Sequence, residues 1–107
     1  MTTNTTVVYY SELMIEVRKT SVFEKWLNQL RDVRAQARIQ VRIDRIELGL
    51  LGDAKYFDGI GELRIAYGPG YRVYFVKRNR TVVILLCGGD KSSQQRDIAK
   101  AKELAKE

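Results

Sequence analysis

Apolar and charged residues alternate at Ile15, Glu16, Val17 and Arg18, which predicts a strand within LMIEVRKT. The period then lengthens. Phe23, Trp26, Leu27 and Leu30 recur at helical spacing, and Ser21-Val22-Phe23-Glu24 reads as a capping box at that helix's start. Ala35, Ile39, Ile43, Ile46 and Leu50 mark the buried stripe of a second helix over about 34–48. RIQVRID also alternates with period two, but the length of the periodic stretch favours helix. A short turn between the two helices makes them an antiparallel hairpin. GLLGD ends the second helix, with Gly49 or Gly52 suited to a left-handed cap, and AKYFDGIG reads as a loop or the start of a strand.

Residues 62–67, 71–78 and 81–88 read as three further strands. Gly68-Pro69-Gly70 turns the first pair, since proline presets φ and glycine accepts positive φ. Pairing Tyr67 with Tyr71 puts Leu63 against Phe75 and Ile65 against Val73 on one apolar face. Arg64, Ala66, Arg72 and Tyr74 then share the other face, with Arg64 opposite Tyr74 and diagonal to Arg72. A two-residue turn at Asn79-Arg80 pairs Arg78 with Thr81. It sends Val82, Ile84 and Leu86 to the apolar face, and Val83, Leu85 and Cys87 to the face of Arg72 and Tyr74, with Cys87 across from Arg72. Ser92-Ser93-Gln94-Gln95 offers a cap, and Ile98, Ala101, Leu104 and Ala105 predict a last amphipathic helix.

The expected architecture is α+β: an N-terminal strand, a helical hairpin packed on a mainly antiparallel sheet, and a C-terminal helix. With 107 residues the chain is one domain, its first dozen residues expected to be flexible, with a possible extended piece at Val7–Tyr10. The net charge is +6, which fits a phosphate-bearing or acidic partner as well as a solvated basic surface. Arg34, Arg38, Arg42 and Arg45 follow helical spacing beside the buried stripe. The reading favoured for them is a flank whose stems cover the core; a phosphate-facing edge is the other. Cys87 is the one cysteine, so no disulfide closes within the chain, and it reads as a buried strand thiol. No apolar run spans a bilayer and no signal-peptide pattern opens the sequence, so a cytoplasmic protein with no membrane partner is expected.

The chain has no histidine, which excludes a serine–histidine–aspartate triad and a histidine-bearing zinc site. No Walker motif or dinucleotide fingerprint is present, and no metal or other cofactor is expected. RNA cleavage remains open, because the 2′-hydroxyl is the nucleophile and cations need only align it and stabilise the phosphorane. Arg64, Arg72 and Lys91 are the candidate catalytic residues, since the sheet register brings them to one patch; lysine can act as base or as a charge clamp. Tyr71, Tyr74 and Tyr56 are candidates for stacking on bases. The competing reading pairs Arg64 with Glu62 or Asp58, and Arg72 with Asp90 or the last helix.

FEKWLNQLRD, GDAKYFDGIGELRIAYGPGYRVYF and ILLCGGDKSSQQRDIAKAKELA resemble the HigB-like addiction-module killer proteins of the RelE/ParE toxin superfamily. The resemblance runs from about Met14 to the C-terminus. It implies a small α+β toxin of a type II toxin–antitoxin system, neutralised by a cognate antitoxin, and for many members ribosome-dependent cleavage of mRNA. Such an mRNA interferase inhibits translation and meets DNA only indirectly, through the antitoxin complex. A gyrase-inhibiting branch shares the fold, and a catalytically silent binding module is a third reading. By position, Arg64, Arg72 and Lys91 match the basic catalytic groups of RNA-cutting relatives, and Lys55 and Asp90 join Tyr71 and Tyr74 as RNA-binding candidates. Some relatives carry a catalytic histidine or C-terminal tyrosine, and this chain has neither.

Overall fold

The computed structural model describes residues 14–107. The possible extended piece at Val7–Tyr10 lies outside them. Five strands form one sheet: β1 (Glu16–Lys19), β2 (Ala54–Phe57), β3 (Ile60–Ile65), β4 (Tyr71–Arg78) and β5 (Val82–Asp90). Helices α1 (Ser21–Gln29) and α2 (Val33–Glu47) lie between β1 and β2, and α3 (Gln94–Ala105) follows a 3-10 turn at Lys91–Ser93. The strand order is β1-β5-β4-β3-β2, with β1 parallel to β5 and all other neighbours antiparallel. This is the expected α+β plan with one added strand, β2. No helix among the described residues is long and apolar enough to cross a membrane.

The first helix begins one residue earlier than its sequence signal. Thr20, not Ser21, is the N-cap: its hydroxyl accepts from the Phe23 amide and donates to the Leu86 carbonyl at 2.6 Å, tying α1 to β5. Asp32 caps α2 through the amides of Arg34 and Ala35. That helix ends in a Schellman motif. The Gly49 amide reaches the Ile46 carbonyl and the Leu50 amide reaches the Arg45 carbonyl, with Gly49 at φ 81°. The cap turns the chain away from the sheet, so Leu50 is 58% exposed and does not continue the buried stripe. Ala35, Ile39, Ile43 and Ile46 are buried as expected.

Both faces of the sheet are covered. Phe23, Ile39, Ile43, Ile46, Leu63, Ile65, Val73, Phe75, Val83 and Leu85 form the larger core under α1 and α2. Ile60, Tyr74, Val76, Leu86, Cys87 and Ala101 form a smaller one under α3. Two registers differ from those expected, each because of its turn. The β3–β4 connection takes five residues, Ala66 to Gly70, so Ile65 pairs with Tyr71. That slip of two keeps every residue on its face but sets Arg64 directly across from Arg72, and Glu62 across from Tyr74.

The β4–β5 connection takes three residues, with Asn79 at φ 59° and Arg80 outside the left-handed region that a type I′ turn needs at both central positions. The resulting slip of one pairs Arg78 with Val82 and sends Val83 and Leu85 to the hairpin-side core, with Ile84 and Leu86 to the α3 side. A bulge at Leu86 then restores parity. Cys87 lies on the expected face, across from Tyr74 and not Arg72, and Gly89 faces Arg72. Gly88 and Gly89 are required there: a Cβ on Gly88 would strike the Trp26 ring and one on Gly89 the Asp97 carboxylate.

Candidate phosphate-binding site

Strand β2, the strand alternative for AKYF, begins the site. Asp58 and Gly59, at φ 52° and 82°, make a two-residue turn that folds β2 back on β3. The Asp53 carbonyl accepts from the Arg64 amide, which brings the Asp53 side chain beside the Arg64 guanidinium at 2.8 Å. Arg42 locks this corner from α2. Its guanidinium donates to the carbonyls of Arg64, Leu51 and Asp53 at 2.6 to 3.0 Å, and burial pulls its pKa below the usual arginine value. The favoured reading of Arg42 as part of a solvated flank is therefore corrected: it is a strut between helix and sheet. Arg38 stacks over the Tyr67 ring at 4.6 Å.

The register puts Arg64 and Arg72 side by side at the end of β3 and β4, and the bulged β5 delivers Lys91 to the same end. Arg64, Arg72 and Lys91 line one solvent-open hollow of about 690 Å³, closed by Asp53, Ala66 and the Gly68-Pro69-Gly70 loop. Gly68 and Gly70 both have positive φ, at 57° and 81°. The Arg72 Nη1 and the Lys91 Cβ come within 3.5 and 3.7 Å of where a Gly70 side chain would begin, so the loop packs closely over both.

The three cations are held differently. Arg64 faces Asp53 in an exposed pair, of the kind worth about 0–1 kcal/mol and open to exchange for another anion. Arg72 is only 15% exposed at its side chain and has Glu62 behind it, Nε to Oε2 being 3.9 Å. Lys91 has no ion pair among the described residues. The partners differ from the pairs weighed for a scaffold role: Asp58 pairs with Lys102 at 2.8 Å, and Asp90 pairs with neither arginine.

The other candidates separate. Tyr74 is fully buried under α3, so its assignment to base stacking is withdrawn; burial, then the Glu62 charge, raise its phenol well above the usual value. Asp90 caps the 3-10 turn through the amide and hydroxyl of Ser92, and those bonds lower its pKa. It positions Lys91 and is not turned to the hollow. Tyr71 lies on the opposite face, edge-on to Trp26 at 6.3 Å, beside a second cleft of about 700 Å³ between α1 and α3. Lys55 sits on β2 across from Glu62, its ammonium 5.7 Å from the Phe57 ring, and does not line the hollow. Tyr56 is 55% exposed and packs edge-on against Phe75.

A β-strand end carrying opposed arginines, a lysine turn and a glycine-rich loop makes a basic hollow at one end of an α+β domain. The chain belongs to the Gp49-like family of phage-derived proteins, whose profile matches residues 25–107. An uncharacterised protein of Haemophilus influenzae is 51% identical over 96 residues, covering 89% of this chain and 97% of that relative. The fold is shared with a chain of a solved toxin–antitoxin complex. A chain in the crystal structure of the toxin–antitoxin complex RelBE2 from Mycobacterium tuberculosis superposes with a TM-score of 0.59 at 20% identity, covering 73% of this chain and 99% of that one.

Proposed function

We propose that this protein is the toxin of a toxin–antitoxin pair that acts in the cytoplasm as a metal-independent endoribonuclease on mRNA at the ribosome. The family and the RelE-like fold support the toxin, and the complex in which the similar chain was crystallised supports an antitoxin partner. The observation that carries the activity is the shared hollow of Arg64, Arg72 and Lys91. Its three positive charges suit one phosphodiester and its neighbours.

In this reading Arg72, held from behind, presents its fork to the scissile phosphate. Arg64 exchanges Asp53 for a phosphate oxygen and neutralises charge as the phosphorane forms. Lys91 stands nearest to open solvent and clamps charge or takes the 2′-hydroxyl proton. With Lys55, Tyr71, Tyr74 and Asp90 all outside the hollow, the three cations carry the whole of the chemistry in this reading.

Induced expression of the chain tests this. Growth and translation stop with the wild-type protein, resume in Arg64→Ala and Lys91→Ala, and resume in Arg72→Gln. Arrest that persists unchanged in all three variants overturns the site. Arrest with DNA-damage signalling and intact messages replaces the nuclease with a gyrase poison.

A further inference from the structure

Glu62 is fully buried, an unusual place for a carboxylate, in the middle of β3. It faces Tyr74 across the β3–β4 ladder and is the diagonal neighbour of Arg72. One oxygen, Oε2, accepts from Gln94 Nε2 at 2.7 Å and lies 3.9 Å from Arg72 Nε. The other, Oε1, makes no hydrogen bond of good geometry, and neither do Arg72 Nε and the Tyr74 hydroxyl, although burial, then a Glu62 carboxylate close to that hydroxyl, raise the phenol's pKa. Three unsatisfied polar groups thus meet in one buried place, directly behind the hollow.

A buried ion pair of this kind is weak support for stability, since replacing both partners by apolar side chains of similar volume commonly holds a fold as well or better. The cost needs another reason, and the connections of Glu62 supply one. Its Oε2 stands at ion-pair distance from Arg72 Nε without hydrogen-bonding it. Through Gln94, the first residue of α3, it also ties down the 3-10 turn that begins with Lys91. Arg64 and Arg72 are opposed across the ladder, so like charges face each other. Asp53 offsets the first from the solvent side and Glu62 offsets the second from the interior.

We infer that Glu62 is a positioning residue: a buried anionic anchor that fixes the Arg72 guanidinium and, through Gln94, the Lys91 turn, so that both cations stand ready at the hollow before any phosphate arrives. It does not touch the bound anion; Arg72 stands between. The inference rests on the phosphate-gripping reading of the hollow. Preorganisation of this sort converts flexible cations into a fixed electrostatic socket and is lost steeply when the supporting group is lost.

The test separates positioning from folding and from the nuclease reading. In the full chain, the order parameter of the Arg72 Nε–H measured by 15N relaxation is near the rigid-backbone level of about 0.85 and falls below about 0.6 in Glu62→Gln. An unchanged Arg72 order parameter in that variant overturns the inference whether or not the protein cleaves RNA. Glu62→Leu leaves the Arg72 charge without its partner and lowers the thermal midpoint, whereas the isosteric Glu62→Gln keeps the Gln94 contact and a cooperative thermal transition. Growth arrest by Glu62→Gln weakens at least about tenfold in the expression level required. Stability and toxicity lost together in that variant would make Glu62 merely structural.

Discussion

The two faces of the sheet are built to different rules. Under α1 and α2 the contact is a continuous apolar core from Phe23 to Leu85. Under α3 the apolar cluster reaches Tyr74 and is interrupted beside it, where Glu62 and Arg72 bring buried charge into the sheet. The difference teaches where each property resides. The hairpin side supplies most of the hydrophobic stabilisation; the α3 side spends some of it to hold charge beside an open hollow.

The comparison breaks most visibly in the hairpin-side core. Phe75 is fully buried at the centre of the sheet, and Phe75→Ala lowers the free energy of unfolding by about 3–5 kcal/mol in chemical denaturation. Arg64→Ala, by contrast, changes it by less than about 1 kcal/mol, because its pair with Asp53 is exposed, yet abolishes growth arrest. Equal destabilisation by the two variants would erase the distinction between the faces. Gly89→Ala is the intermediate case. A methyl there runs into Asp97 behind the Lys91 turn, costing about 1–3 kcal/mol and displacing the turn. Thr20→Ala removes the hydroxyl that caps α1 and bonds Leu86, a loss of about 1 kcal/mol seen as a shifted denaturation midpoint.

The smallest effect concerns Cys87, which lies under α3 at 2% exposure. Burial, then the nearby Asp97 charge, push its thiol from 9.0 up to about 12. A raised folded-state value means that the folded protein holds the proton longer than the unfolded chain does. This contribution to stability is whole below about pH 9 and is lost as pH rises towards 12. Alkylation of Cys87 in the native protein is correspondingly slow at neutral pH, and rapid labelling there would mean that the α3 side opens readily.

The sequence revealed elements more readily than registers. Helical spacing located α1, α2 and α3 because each buries one stripe and wets the other. The run Val82-Val83-Ile84-Leu85-Leu86-Cys87 is apolar at every position, since β5 is covered on both faces, and so nothing in its pattern pins the pairing. Only the turn could do so, and Asn79-Arg80 lacks the glycine that favours a two-residue loop. The opposite error affected β2: Asp58-Gly59 is a strong hairpin signal, and using it would have placed Asp53 beside Arg64. Arg64, Arg72 and Lys91 meet as their chain positions suggested. The role of Glu62 was hidden, because its neighbours depend on a register that slipped by two residues.

Mapping the 5′ ends of cellular messages after induced expression tests the hollow most directly. New ends inside translated regions are predicted with the wild-type chain, and their disappearance in Arg64→Ala and Lys91→Ala, both folded. Intact messages with the wild-type chain, or the same new ends in both variants, would contradict it.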